Sequence, residues 1–353
     1  MTGKRRGLLP EVSDLARILI LNTGGTIGMT KTEKGYRPDG TWFRETIEKM
    51  DALKAPGMPE WDFTETDPLL DSSRMSVAEW NRIAGIIAAR YDDYQGFVIL
   101  HGTDTMAYTA SALSFMLCGL SKPVILTGSQ IPLCEIRSDG RDNLITSMII
   151  AGAGKVREVA IYFGGVLLRG CRATKYSADG MQAFVSPNYP PLATAGISIQ
   201  YNEPALLSRR AERFELRRLS DVPIGVLKIF PGIPFRAIEP MLTETLRGVV
   251  LETFGSGNIP DDGGVLLPML EKARKNGTVV TVCSQCPQAT VNITAYEAGN
   301  VLLKGGAVSG RDMTTEAAVT KLCYLFSVYD DADRVRFNME RDIRGELTPR
   351  DDL

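Results

Sequence analysis

"ILILNTGGTIGM", residues Ile18 to Met29, runs from an apolar strand into two glycines and a threonine. Glycines at the end of a strand let the chain turn tightly and bring backbone N–H groups close to a ligand. A phosphate loop would need a lysine within the turn, and a dinucleotide fingerprint would need Gly-x-Gly-x-x-Gly. Gly-Gly-Thr-Ile-Gly is neither. Standing alone, Gly24 and Gly25 would do no more than close a strand-to-loop turn.

They do not stand alone, because "LHGTDTMAYTASAL" at 100–113 repeats the arrangement of a strand end followed by Gly, Thr and a helical pattern. From residue 17 onward, short β-branched runs alternate with helical patterns, which predicts parallel strands joined by crossover helices. The strand candidates are 17–22, 97–101, 124–127, 158–163, 224–229, 248–252 and 278–283. Ser76 with Glu79 reads as a capping box opening a helix whose stripe is Val77, Trp80, Ile83, Ala84 and Ile87. A second helix is expected over 105–117. In open parallel sheets, ligands bind outside the carboxyl ends of the strands. Thr23–Thr26 and Gly102–Asp104 both sit at such ends and can face one crevice.

Four prolines and then a charged stretch interrupt the alternation between about 186 and 222. The expected organisation is an N-terminal catalytic domain over 1–200, a linker over 201–221 and a C-terminal domain over 222–353. The fold class is α/β with two domains: a large N-terminal parallel-type sheet with flanking helices, and a smaller C-terminal α/β domain. No repeat of 20 to 50 residues is visible.

Composition removes several functional classes. The chain has 353 residues, 40 basic and 42 acidic, so no excess of positive charge calls for nucleic acid. No apolar run approaches the roughly 18 residues that span a bilayer. Six cysteines over this length lack the density of a disulfide framework, and a cytoplasmic location is expected. The single histidine, His101, makes Ser-His-Asp, Cys-His and multi-histidine metal designs poor fits. We read His101 as a hydrogen-bonded structural residue, and the Cys283-x-x-Cys286 pair as structural too, because no second pair accompanies it.

A threonine hydroxyl is a poor nucleophile until a neighbouring base takes its proton. With one histidine, that base is a lysine, a carboxylate or a tyrosine. A lysine serves if its pKa is lowered or its proton passes on to a carboxylate. "RATKYSADG" at 172–180 follows a predicted strand and offers Lys175. Asp104 and Lys175 can therefore replace the aspartate and histidine of a triad, with Thr103 as the hydroxyl they activate.

The chain resembles the bacterial-type L-asparaginases, and within them the cytoplasmic type I enzymes. The resemblance rests on "TGGTIG" at 23–28, "LLDSSRM" at 69–75, "GFVILHGTDTMAYTASALSFML" at 96–117, "KPVILTGSQIPL" at 122–133, "RSDGRDNL" at 137–144, "TKYSADG" at 174–180 and "RGELTP" at 344–349. It implies hydrolysis of L-asparagine to L-aspartate and ammonia without cofactor or metal. Thr26 would be the nucleophile that forms an acyl-enzyme, and Thr103, Asp104 and Lys175 a second triad. Tyr36, in the loop "MTKTEKGY", would be the lid residue that orients or deprotonates Thr26. Asp71, Ser72, Ser73, Thr103 and Asp104 would hold the α-carboxylate and α-ammonium of the substrate, a role that suits hydroxyls, backbone donors and a carboxylate.

The same resemblance implies a homo-oligomer, a dimer or a homotetramer built as a dimer of dimers. In it the C-terminal domain completes a neighbouring subunit's site, with Asn258 and Tyr296 as candidates. Regulated type I enzymes carry an arginine at an allosteric site where this chain has Glu252, although Thr174 and Cys286 match the rest of that pocket. A carboxylate there would repel the effector's own carboxylate, so no such regulation is expected. The rival readings are a dual glutaminase-asparaginase, the asparaginase-like subunit of a tRNA-dependent amidotransferase, and an inactive amino-acid-binding module.

Overall fold

A computed structural model describes residues 16–208, 212–260, 263–294 and 297–349. Tyr296 and the amino-terminal basic run Lys4 to Arg6 lie outside them. The chain divides into two compact units between Arg217 and Arg218.

The first unit is built on a mixed sheet of eight strands among the described residues, in the order 199–201, 193–195, 166–169, 159–163, 124–127, 96–100, 17–24 and 60–70. The five strands from 159–163 to 60–70 are parallel. The remaining three join antiparallel, so the parallel-type sheet is mixed at this end. The pairing Val166–Phe163 shows why: Gly164 and Gly165, both at positive φ, fold a two-residue hairpin that reverses the chain.

Ile18, Leu19, Ile20 and Leu21 are all fully buried, so the first strand is covered on both faces. Ile18 and Ile20 pack with Val98, Leu100, Ile125, Leu144 and Met148 in the main core. Helix Met106–Met116 is buried around nearly its whole circumference, Tyr108 excepted. Truncating any of these leucines or isoleucines to alanine is expected to cost about 2–5 kcal/mol.

Two local expectations fail. Ser76 caps helix Val77–Ala89 without a side-chain hydrogen bond, and Glu79 turns instead toward Arg82 at 3.5 Å, so the capping box does not form. Glu60–Leu70 is an eleven-residue strand that the alternation argument passed over. Its polar residues and Pro68 depart from the short β-branched runs that mark the other strands. At the sheet edge neither disqualifies it, since an edge proline removes no ladder bond from a central strand.

The second unit carries a parallel sheet in the order 224–228, 248–253, 279–284 and 308–309. Its core joins Val249, Leu251, Val280, Val282, Leu266 and Leu270. The "RGELTP" segment is pinned by a fully buried ion pair, Lys321 Nζ to Glu346 Oε1 at 2.6 Å. Lys321 also donates to the Met339 and Arg341 carbonyls, and Glu346 accepts the Ile343 and Arg344 amides. The carboxyl-terminal motif is thus an internal strut.

Candidate active site

In sequence order the five parallel strands run 2-1-3-4-5 across the sheet, so the order reverses between 17–24 and 96–100. Crevices that take ligands open at such a reversal, beyond the carboxyl ends of the strands. Thr23–Thr26 and His101–Asp104 emerge there.

Three turns meet at this point so closely that side chains are excluded. A Cβ on Gly25 would lie 2.3 Å from the Gly102 amide nitrogen, one on Gly24 would lie 2.2 Å from the Leu70 carbonyl oxygen, and one on Gly102 would lie 2.5 Å from Ser72 Oγ. Gly24 and Gly25 also take φ values of 109° and 89°. Only glycine meets both demands. Their contact leaves Thr26 and Thr103 each one residue beyond it. Hydroxyls lock the junction: Thr23 Oγ1 donates to the Leu100 carbonyl at 2.8 Å, and Thr105 Oγ1 donates to the Ser72 carbonyl at 2.8 Å.

Lys175 reaches this junction from the short strand Thr174–Lys175, which pairs with Phe184–Val185. Its Nζ donates to Thr103 Oγ1 at 2.9 Å and to Asp104 Oδ1 at 2.6 Å. The lysine is largely enclosed, whereas the Asp104 side chain is 64% exposed and opens toward solvent. Asp104 therefore serves Lys175 and not the following helix, whose N-cap is Thr105. Asp71 accepts the Ser73 amide and caps the turn Ser72–Arg74, in which Ser72 is buried and Ser73 exposed.

Thr26 opens a short 3₁₀ turn and is half-buried. The hairpin Met29–Thr32/Gly35–Pro38 follows directly, with Tyr36 opposite Lys31. Tyr36 is 45% exposed, and its hydroxyl donates to Glu135 Oε1 at 2.5 Å. That bond raises the phenol's pKa above its ordinary value.

His101 is fully buried, with Nδ1 2.7 Å from the Gly102 carbonyl and Nε2 2.9 Å from Thr109 Oγ1, which also accepts from Trp80 Nε1. Burial lowers its pKa to about 4. A neutral imidazole with both nitrogens engaged inside the wall matches the structural reading. Asn258 sits in the second unit, in the turn where Phe254 and Asn258 exchange backbone bonds. In that unit Glu252 accepts from Thr315 Oγ1 at 2.6 Å, and no disulfide joins Cys283 to Cys286.

Two side chains that the sequence reading did not single out join the cluster. Gln130 Oε1 lies 3.4 Å from Thr103 Oγ1 while its Nε2 donates to the Gly180 carbonyl, and Asp139 clamps the Gln130 and Ile131 amides. Glu135 is the acceptor for Tyr36. Gln130 stands within the quoted "LTGSQIPL", so its place after a strand end was the available signal; Glu135 carried none.

Known proteins match the chain over both units. Residues 17–207 match the family described as Asparaginase, N-terminal, and residues 223–339 match the Glutaminase/Asparaginase C-terminal domain. L-asparaginase 1 of Escherichia coli (strain K12) is 45% identical over 335 residues, which is 95% of this chain and 98% of that protein. The 60 kDa lysophospholipase of Homo sapiens is 40% identical over 358 residues, 94% of this chain and 62% of that protein. The crystal structure of L-asparaginase I from Vibrio cholerae superposes with a TM-score of 0.88 at 43% identity, covering 95% of this chain and 99% of that one. Matched in both units by family and by fold, this chain belongs to the asparaginase family of hydrolases.

Proposed function

We propose that the protein hydrolyses L-asparagine to L-aspartate and ammonia through an acyl-enzyme on Thr26. The observation that carries this reading is Lys175 Nζ standing between Thr103 Oγ1 and the Asp104 carboxylate beside the glycine turn that leads into Thr26. A proton leaving the Thr103 side arrives on an amine whose ammonium form a carboxylate holds, which is the task of the missing histidine. Thr26 passes its proton to the relay as its oxygen attacks the side-chain amide carbon, the relay returns a proton to the nitrogen that leaves as ammonia, and water then cleaves the ester to release aspartate and restore the Thr26 hydroxyl.

Asp104 turns its exposed carboxylate toward a substrate ammonium, while Ser72, Ser73 and the backbone of the Asp71–Arg74 turn supply donors for the α-carboxylate. Backbone N–H groups of the glycine turn meet the developing oxyanion. Tyr36 closes over the substrate as a lid residue. The domain over 222–353 of a second subunit completes the pocket through Asn258 and Tyr296, so the working species is a homo-oligomer, a dimer or a tetramer. Six cysteines spread over 353 residues, without the density of a disulfide framework, favour a cytoplasmic location, and Glu252 at the effector position removes allosteric control.

Ammonia release from asparagine, measured for the protein and for Thr26→Ala and Lys175→Met, tests the core of this reading; equal rates in all three would end it. Paired kcat/KM values for asparagine and glutamine decide between an asparaginase and a dual enzyme. A hyperbolic rate curve in asparagine supports the Glu252 argument, and a sigmoidal one overturns it.

A further inference from the structure

The hairpin that carries Tyr36 is a two-stranded ribbon of four residues a side, too small to hold its own position in water. Its placement depends on what it is tied to. At its base, Asp39 donates its amide to the Gly28 carbonyl at 3.0 Å, and the Leu133 amide donates to the Ile27 carbonyl at 3.2 Å. Cys134 Sγ approaches the Met29 carbonyl at 3.4 Å. At its far strand the tie is the Tyr36 hydroxyl on Glu135. Leu133, Cys134 and Glu135 belong to one segment, 131–138, that runs along the hairpin.

That segment is itself braced. Ser138 Oγ donates to the Ile131 carbonyl at 2.9 Å, the Glu135 amide to the Pro132 carbonyl and the Ser138 amide to the Glu135 carbonyl. At its end Asp139 gathers the amides of Gln130 and Ile131 and the Asn143 side chain, and Gln130 stands against Thr103. Glu135 therefore joins the exposed hairpin to the same frame that holds the lysine triad.

The 2.5 Å contact is in the range of an O–H to carboxylate bond, the strong, charge-assisted kind. A carboxylate only accepts, so the single phenolic proton of Tyr36 is committed to it. What the Tyr36 oxygen then offers a third group is lone pairs. A threonine hydroxyl brought against it must donate, which is the direction a nucleophile needs when it is to lose its proton.

We propose that Glu135 is a positioning residue for the hydrolysis: its carboxylate fixes the lid tyrosine in place and sets Tyr36 as an acceptor, not a donor, toward Thr26. This rests on the reading of Tyr36 as the lid residue that orients Thr26.

The test is a double-mutant cycle on the full chain with Tyr36→Phe, Glu135→Gln, Glu135→Ala and the combinations. A glutamine keeps the size of the side chain but can donate its amide to the phenol and reverse the bond. We expect Glu135→Gln and Glu135→Ala to lower kcat for asparagine about tenfold, one charged hydrogen bond's worth, with KM changed far less. Tyr36→Phe lowers kcat by more, and adding either Glu135 substitution to it has no further effect. Glu135→Asp recovers part of the loss. Independently of activity, the titration of Tyr36, read as the absorbance difference between each variant and its Tyr36→Phe counterpart, moves to lower pH in Glu135→Ala.

The proposal is overturned if Tyr36→Phe is impaired while both Glu135 variants keep the parent kcat, or if the two losses multiply in the double variant. A Tyr36→Phe protein with parent activity removes the lid reading itself, and the proposal with it. An unchanged Tyr36 titration in Glu135→Ala overturns the hydrogen bond on which both stand.

Discussion

On one side of the crevice Thr103 is 7% exposed, receives Lys175 at 2.9 Å and is backed by a helix buried almost all round. On the other, Thr26 leads straight into an exposed ribbon anchored by backbone bonds at its base and by one phenol–carboxylate bond farther out. The first bank has its hydrogen bonds and packing in place before any substrate arrives. The second has few apolar contacts and solvent-exposed ladder bonds, the physical character of elements that open locally at low cost. A preorganised proton relay beside a movable cover is a sensible division, since relay geometry tolerates little error and a substrate needs a way in.

The largest expected effect removes chemistry from either bank. Thr26→Ala and Lys175→Met should each lower kcat for asparagine by about 10⁴-fold or more. Lys175→Met should also soften the first bank, whereas Thr26→Ala leaves the melting temperature within about 2 °C. Ammonia release and thermal unfolding measured together check this. A variant that keeps a tenth of the activity would place the chemistry elsewhere.

Glycine substitutions sharpen the contrast on the stability side. Gly25 and Gly35 both take positive φ, but a Cβ on Gly25 strikes the Gly102 backbone at 2.3 Å and one on Gly35 meets nothing within 4 Å. Gly25→Ala should cost about 3 kcal/mol in denaturant unfolding from overpacking alone. Gly35→Ala carries only the backbone penalty of about 1–2 kcal/mol, and that falls on the ribbon. Equal losses would mean the two regions are equally rigid.

A comparable but pH-dependent effect belongs to the buried wall. Burial disfavours the imidazolium and lowers the His101 pKa from its ordinary 6.5 to about 4 in the folded protein. Between those values the unfolded chain binds the proton and the folded one does not, so stability falls as pH drops from 6.5 toward 4. The loss approaches about 3 kcal/mol at most. Urea unfolding across this window should show the slope, and His101→Gln should flatten it. The smallest effect is kinetic: backbone amides of 29–38 should exchange with solvent well ahead of those in 106–116, by roughly a few kcal/mol of opening free energy. Matching protection would erase the distinction between the banks.

How much of this was legible depended on the range of the interaction. Strand Val124–Thr127 appears with the expected bounds and helix Met106–Met116 falls inside the expected 105–117, because a regular apolar pattern dictates its own local structure. Strand Glu60–Leu70 was hidden, since an edge position excuses polar residues and a proline that a central strand would reject. Glu79 had a capping role by spacing, yet Arg82 one turn on drew it away. In the site, Lys175 was found through the need for a base in a chain with one histidine. Gln130 and Glu135 were not, because neither spacing nor chemistry within the sequence says which loop folds against which.

The sequence by itself determined the strand-turn-helix units, the glycines at their ends and the shortlist of proton-handling groups, because backbone conformation and residue chemistry are local properties. Only the tertiary structure decided that the strand order reverses between 17–24 and 96–100, that three turns meet too closely for any Cβ, and that the Tyr36 proton goes to Glu135. Those outcomes join residues about 30 to 100 positions apart, and a bond of that span forms only once the packing of the whole unit has offset the entropy of closing the loop between them.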